Sequence, residues 1–350
     1  MDEEKIKSFA GKIFQDVSSS MGSTLAYIGV KTGLFRQLQG KGPLSLAQVI
    51  AGSELQSRYV EEWLKGMVCT GYLDYDTEAQ TYELPDEHAY LLASEGTDHF
   101  MGGLLYSVPM MTGVAPKVAE AFVHGGGVRF QEFGEEGVEA IALMNEGTYV
   151  QRFASYWMKS VPTLHEALES GCQMLDFGCG TGCVAVTLGK AFPQSCFHGI
   201  DLDEASVAQA RQLAKEQGLE ERVQFLHGDL NQLAGQQFDL ITICDCIHDL
   251  ADPLGTLALL RSLLSETGSL FIVEPKASDH LEENINPIGG MYYGMSVLHC
   301  MTQSLASGGP GLGTCMGPSR IKALFLEAGY SSVEQLKIKS VTSHFYHVHK

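Results

Sequence analysis

Apolar residues recur every third or fourth position near the start of the chain. Ile6, Phe9, Ile13, Phe14 and Val17 share a face, and Leu25, Tyr27, Ile28 and Val30 lead into Gly33-Leu34-Phe35. That period predicts a helix over residues 5–38. Gly42-Pro43-Leu44-Ser45 reads as a turn, with Ser45 placed to cap a short helix through Ile50. A second helix over 57–70 carries Tyr59, Val60, Trp63, Leu64, Met67 and Val68 on one face and ends at Gly71. The runs 72–75 and 81–84 flank a polar turn, a hairpin signal. Helix, turn, helix and hairpin is the order of a winged-helix domain, assigned to residues 1–95.

Residues 96–170 are mostly helical in pattern, rich in Gly and Met, with a loop at Gly125-Gly126-Gly127. They read as a connector that caps a pocket. From Cys172 the pattern changes. Short apolar runs (173–177, 196–201, 223–227, 238–244 and 270–274) alternate with helical stretches (182–191, 204–217 and 252–264). A helix at 319–328 and strand-like runs at 333–338 and 342–349 follow. Such alternation implies a largely parallel sheet covered on both faces. The fold class expected is therefore α/β, with a Rossmann-like sheet of seven strands in residues 171–350 behind a winged helix and a helical connector.

Composition narrows the setting. The chain has 350 residues and a formal net charge of -19, which disfavours a phosphate backbone as partner. The helix 57–70 sets Arg58 and Lys65 against Glu61 and Glu62, so it is neutral where a DNA-reading helix is basic. No apolar run is long enough for a membrane span, and the N-terminus lacks the pattern of a secretory signal. Nine cysteines without a C-x-x-C pair point to a reduced, cytoplasmic protein and give no reason to expect a metal.

The chemistry concentrates at the ends of the strand-like runs. The first ends in Asp176-Phe-Gly178-Cys-Gly180-Thr-Gly182. Glycines there allow a tight turn and close approach of a ligand to the backbone, at the strand end where open α/β sheets bind ligands. The spacing is G-x-G-x-G, unlike the G-x-G-x-x-G of dinucleotide sites. Asp176, two residues ahead of the glycines, suits an ammonium better than a pyrophosphate. S-adenosylmethionine carries an ammonium and a sulfonium but no phosphate. Asp201, 19 residues after Gly182, is placed for ribose hydroxyls beside Leu202. Asp229 and Leu230 are placed for an adenine amino group and ring. Cys244 and Asp245 end the fourth run, in the loop expected beneath the reactive methyl.

On these motifs the chain resembles the class I S-adenosylmethionine-dependent methyltransferases. It is most similar to two-domain bacterial and invertebrate members with an N-terminal winged helix. Further carriers are Ile247-His-Asp-Leu-Ala-Asp-Pro253, Lys276-Ala-Ser-Asp-His-Leu-Glu-Glu-Asn284, His299-Cys-Met-Thr302 and Gly308-Gly-Pro-Gly-Leu-Gly-Thr314. The resemblance implies methyl transfer to a small molecule, a homodimer, and a winged helix that supports dimerisation and closes the pocket. The acceptor atom is left open among thiol, hydroxyl, carboxylate and amine.

His248 is the expected general base, oriented by Asp249 or Asp245, because its loop lies nearest the methyl. His299 is a second catalytic candidate, from the insert between the fifth and sixth strands. Tyr149 and Arg152 are candidates for the cofactor's methionine end. Asp245 and Asp249 lack an evident third ligand, so no metal is expected. A cofactor-sensing regulator without turnover and a nicotinamide oxidoreductase are the alternatives.

Overall fold

The computed structural model describes all 350 residues. They form two compact units, one of residues 1–110 and 139–148, the other of residues 111–138 and 149–350. Residues 96–170 are thus shared between both units. No helix is long and apolar enough to cross a membrane, and none of the nine cysteines is in a disulfide.

In the first unit the long opening helix is Glu3–Lys31, capped by Asp2, whose side chain accepts from the amides of Glu4 and Lys5. It does not run to residue 38 as the periodicity predicts. Gly33 adopts φ 75° and starts a separate helix, Leu34–Leu38; such a left-handed residue ends an α-helix. Gly29 lets the two meet, since a Cβ there would lie 2.6 Å from both Phe35 and Trp63. Ser45 and Gln48 form a capping box on Leu46–Ala51. The helix Ser57–Cys69 buries Val60, Trp63, Leu64 and Met67. Three short strands, β1 (Leu44–Ser45), β2 (Asp74–Asp76) and β3 (Thr81–Glu83), pair antiparallel in the order β1-β3-β2. This is the expected winged helix.

The second unit holds β4 (Gln173–Phe177), β5 (Cys196–Asp201), β6 (Val223–His227), β7 (Phe238–Cys244), β8 (Leu264–Pro275), β9 (Ser332–Leu336) and β10 (Ser343–His349). They form one sheet in the order β6-β5-β4-β7-β8-β10-β9. β4 to β8 pair in parallel, and β10 is antiparallel to both neighbours. Both faces are buried: Phe153, Trp157, Met174, Phe197 and Phe271 pack on one, and Leu175, Ile200, Ile241, Leu257 and Ile272 on the other. β8 begins six residues before the expected run at 270. Gly268 allows this, because a Cβ there would lie 2.8 Å from the Phe238 carbonyl oxygen. The chain leaves β4 toward β5 and β6 on one side, then returns to β7 and β8 on the other. The point where the order reverses lies at the end of β4, where such sheets bind ligands.

Candidate functional site

Asp176 lies inside β4 and is only 2% exposed. Its Oδ1 accepts a hydrogen bond from the Thr242 hydroxyl at 2.7 Å, from the residue opposite on β7. Its Oδ2 is buried without a partner. Burial, with Asp201 nearby, pushes this carboxyl up to about 7. The turn that follows has φ 69° at Gly178, 49° at Gly180 and 83° at Gly182. Gly178 faces Cys246 Sγ, which an added Cβ would meet at 2.7 Å. Gly180 faces open space. Asp201 Oδ2 accepts from the Gly180 amide at 2.8 Å, and its Oδ1 from the Asp203 amide at 2.9 Å. One carboxylate at the end of β5 therefore ties down the turn after β4.

Leu202 is 70% exposed beside it. Asp229 is exposed and caps the turn Leu230–Leu233 by accepting from the Asn231 amide. Leu230 departs from expectation: its side chain is buried in the core beneath the sheet, not presented to a ring. An apolar side chain at a 3-10 turn over the sheet goes where apolar area is removed from water.

At the end of β7, Cys244 is half-buried and Asp245 takes φ 49°. Tyr149, itself buried, donates its hydroxyl to Asp245 Oδ2 at 2.7 Å. Burial pushes the Asp245 carboxyl up to about 6, against the opposing pull of that hydroxyl. Arg152 is exposed in the last turn of the helix Gly134–Arg152.

His248 sits in the 3-10 turn Ile247–Asp249 and is 2% exposed. The residue that orients it is neither Asp245 nor Asp249. Glu274 of β8 reaches across, with Oε2 2.6 Å from His248 Nδ1 and Oε1 accepting from the Ile247 amide at 3.0 Å. Asp245 is held by Tyr149, and Asp249 lies on the opposite side of the ring, its Oδ1 3.5 Å from Nε2. Burial pulls the imidazole down, but Glu274 and Asp249 outweigh it and hold the ring well above the ordinary histidine range. The helix after this turn is capped by Asp252, so His248 is not needed there.

His299 lies in the π-turn Ser296–Cys300. Its ring packs against Phe130 and Phe133, its Nδ1 is 3.6 Å from Cys300 Sγ, and its Nε2 is buried without a partner. Burial lowers its proton affinity. His299 is thus a buried histidine walled by aromatic rings, and the nearby Asp249 raises its proton affinity less than burial lowers it.

Two residues escaped the sequence reading. Glu274 had a signal, an acid inside the buried run Leu270-Phe-Ile-Val-Glu274, because an acid in an apolar strand needs a partner. Cys300 had none, since its relation to His248 arises only when the segment 287–306 folds back.

Comparison with known proteins agrees with this architecture. Residues 168–307 match a family described as a methyltransferase domain, and residues 20–94 an Rv2258c-like winged HTH domain. Norajmaline N-methyltransferase of Rauvolfia serpentina is 41% identical over 81 residues, 23% of this chain and 27% of that protein. Trans-aconitate 2-methyltransferase of Deinococcus radiodurans is 32% identical over 115 residues, 32% of this chain and 42% of that protein. The chain thus covers less than half the length of these relatives. Among solved structures, mitomycin 7-O-methyltransferase MmcR superposes with a TM-score of 0.72 at 12% identity, covering 100% of both chains. Human N-acetylserotonin methyltransferase gives 0.68 at 20% identity, covering 97% of each chain. At these identities the likeness concerns the fold.

Proposed function

We propose that this chain, a winged helix-turn-helix domain joined to a domain of class I methyltransferase fold, transfers the methyl group of S-adenosylmethionine to a hydroxyl oxygen of a small molecule. The observation that carries the acceptor class is the His248–Glu274 pair at the ends of β7 and β8. A hydroxyl nucleophile needs its proton removed, whereas a thiol needs far less help.

The residues at the strand ends fit the cofactor. Asp176 Oδ2 is an unsatisfied buried oxygen and suits the ammonium. The left-handed glycines 178, 180 and 182 allow the methionine end to lie against backbone. Asp201 stands where ribose hydroxyls would exchange with its present backbone donors, and Asp229 is the acid for the adenine amino group. With Leu230 in the core, exposed Leu202 is the apolar residue for the adenine side. Tyr149 and Asp245 form a fixed hydrogen-bonded wall next to the methionine end, and Arg152 is placed at the same helix end as Tyr149.

When bound, the cofactor supplies a methyl group activated by its sulfonium. In its unprotonated form, which Glu274 and Asp249 shift to the alkaline side of the usual imidazole range, His248 Nε2 takes the acceptor proton, and Glu274 fixes the tautomer and stabilises the imidazolium that results. His299, with Phe130 and Phe133, lines the apolar surface on which an acceptor is excluded from water.

The remaining partners follow from the first unit. Ile6, Phe9, Ile13, Phe14, Val17 and Met21 form an exposed stripe along the helix Glu3–Lys31. A stripe of that size on an amphipathic helix calls for cover, and a second copy is the proposed occupant. Arg58 pairs with Glu62 and Lys65 with Glu61, which argues against nucleic acid. Nine cysteines without a disulfide fit a cytoplasmic setting.

The test is a fluorescence titration with S-adenosylhomocysteine and NADH, followed by transfer of labelled methyl to phenols, alcohols, carboxylates, thiols and amines. Saturable S-adenosylhomocysteine binding and label on a hydroxyl are expected. NADH binding without S-adenosylhomocysteine binding would overturn the assignment. Cofactor binding with no transfer to any acceptor favours the regulator.

A further inference from the structure

We propose that His248 Nε2, Asp249 Oδ1 and Cys300 Sγ form a binding site for one zinc-class divalent cation, with Glu274 orienting the histidine from behind. The three donor atoms lie within 4.8 Å of one another. They come from two segments far apart in sequence, the turn Ile247–Asp249 and the π-turn Ser296–Cys300. His248 Nε2 and Asp249 Oδ1 are 3.5 Å apart. That is long for a hydrogen bond but close to the edge of about 3.3 Å that nitrogen and oxygen ligands span on tetrahedral zinc.

Independent features point to a cation as the partner of these donors. Asp249 Oδ1 is buried and has no hydrogen-bond partner, a state that native structures rarely leave unexplained. His248 is committed at Nδ1 to Glu274, 2.6 Å away. This is the carboxylate–histidine arrangement that presents the other ring nitrogen to a metal. The donor set also matches in chemistry. One nitrogen, one oxygen and one sulfur suit a borderline ion and exclude magnesium and calcium, which take oxygen. A carboxylate and a thiolate around a neutral imidazole balance two positive charges, and binding releases to solvent the Cys300 proton together with any proton the His248 ring carries at Nε2. Three protein ligands leave a fourth corner open for water or another heteroatom. A cation on Nε2 competes with the acceptor's proton for the one lone pair that Glu274 leaves free, so the metal-bound form does not deprotonate a hydroxyl acceptor; the site stands on donor geometry and does not depend on methyl transfer.

Cobalt(II) is the probe. The full chain, stripped with a chelator, is expected to bind one cobalt per molecule with a thiolate-to-metal charge-transfer band, which zinc abolishes. Cys300→Ser should lose the band, and Asp249→Asn should weaken cobalt binding about tenfold or more. Exposed Cys69→Ser should change neither. Circular dichroism and thermal unfolding verify that each variant is folded. X-ray absorption of the zinc-loaded wild-type chain needs no variant and should show one sulfur among nitrogen and oxygen ligands. A sulfur-free shell, or an unchanged charge-transfer band in Cys300→Ser, overturns the proposal.

Discussion

The ends of β4 and β5 and the ends of β7 and β8 both hold buried acids, but the two regions use them differently. At β4 and β5 the work falls on backbone. Three left-handed glycines shape the turn, Asp201 ties it down through amides, and Asp176 keeps one oxygen unpaired. At β7 and β8 the work falls on side chains. Glu274 grips His248, Tyr149 grips Asp245, and Cys300 arrives from a distant π-turn. A surface made of backbone suits a ligand that never varies, such as a cofactor. One made of side chains can be rebuilt for a different acceptor with the cofactor turn untouched, in keeping with function residing in sites carried by a common fold.

If this division holds, changes on one side should leave the other alone. The largest effect is expected from His248→Gln, which keeps a donor for Glu274. It should lower kcat for a hydroxyl acceptor by about 10²-fold or more, with the Kd for S-adenosylhomocysteine unchanged within about twofold. Equal loss of cofactor binding, read by titration calorimetry, would break the division. Glu274→Gln should follow, with kcat about 10- to 100-fold lower and KM little changed, because the imidazole loses its orienting charge. A rise in KM alone would assign Glu274 to the acceptor's binding instead.

Asp176→Asn should weaken S-adenosylhomocysteine binding by about tenfold, the worth of a hydrogen bond to a charged group. It should also remove a pH dependence. The Asp176 carboxyl is raised from 3.8 to about 7 by burial, so in the cofactor-free fold it stays protonated through mildly acidic pH. An ammonium pairs with the ionised form, so wild-type binding should strengthen as pH rises through about 7, and the variant should show a flat profile. The linkage has the opposite sign for the free protein. The unfolded chain loses this proton first, so Asp176 costs stability as pH rises from about 4 to about 7. Thermal unfolding at slightly alkaline pH should find cofactor-free Asp176→Asn at or above the wild-type Tm. The smallest effect is expected from Leu202→Ala, which removes exposed apolar surface that only a bound ring would cover. About 1 kcal/mol, near fivefold in Kd, corresponds to partial burial of that side chain, with kcat unchanged. An unchanged Kd would move the adenine away from Leu202.

The cofactor side was legible because its parts are local. The turn from Asp176 to Gly182 is contiguous, and Asp201 closes the next strand, so order along the chain reproduces order in space. The acceptor side was only half legible. His248 could be picked from its place after β7, but the choice of Asp245 or Asp249 as its partner followed nearness in sequence. The parallel pairing of β7 with β8 instead sets Glu274 beside the loop after β7. Leu230 was misplaced for a related reason: strand-end position does not say whether a side chain turns to the ligand or into the core.

By itself the sequence determined the α/β alternation, the winged helix, the glycine turn and the acids that close successive strands. All of these rest on periodicities and turn chemistry that act over a few residues. Only the tertiary structure decided that Glu274 holds His248, that Tyr149 holds Asp245, and that Cys300 completes a three-donor cluster with His248 and Asp249. These contacts join residues that lie 26 to 96 positions apart or on separate segments. They form because buried polar groups must find partners within the packed sheet and the segment that folds back on it, a constraint that chain order does not express.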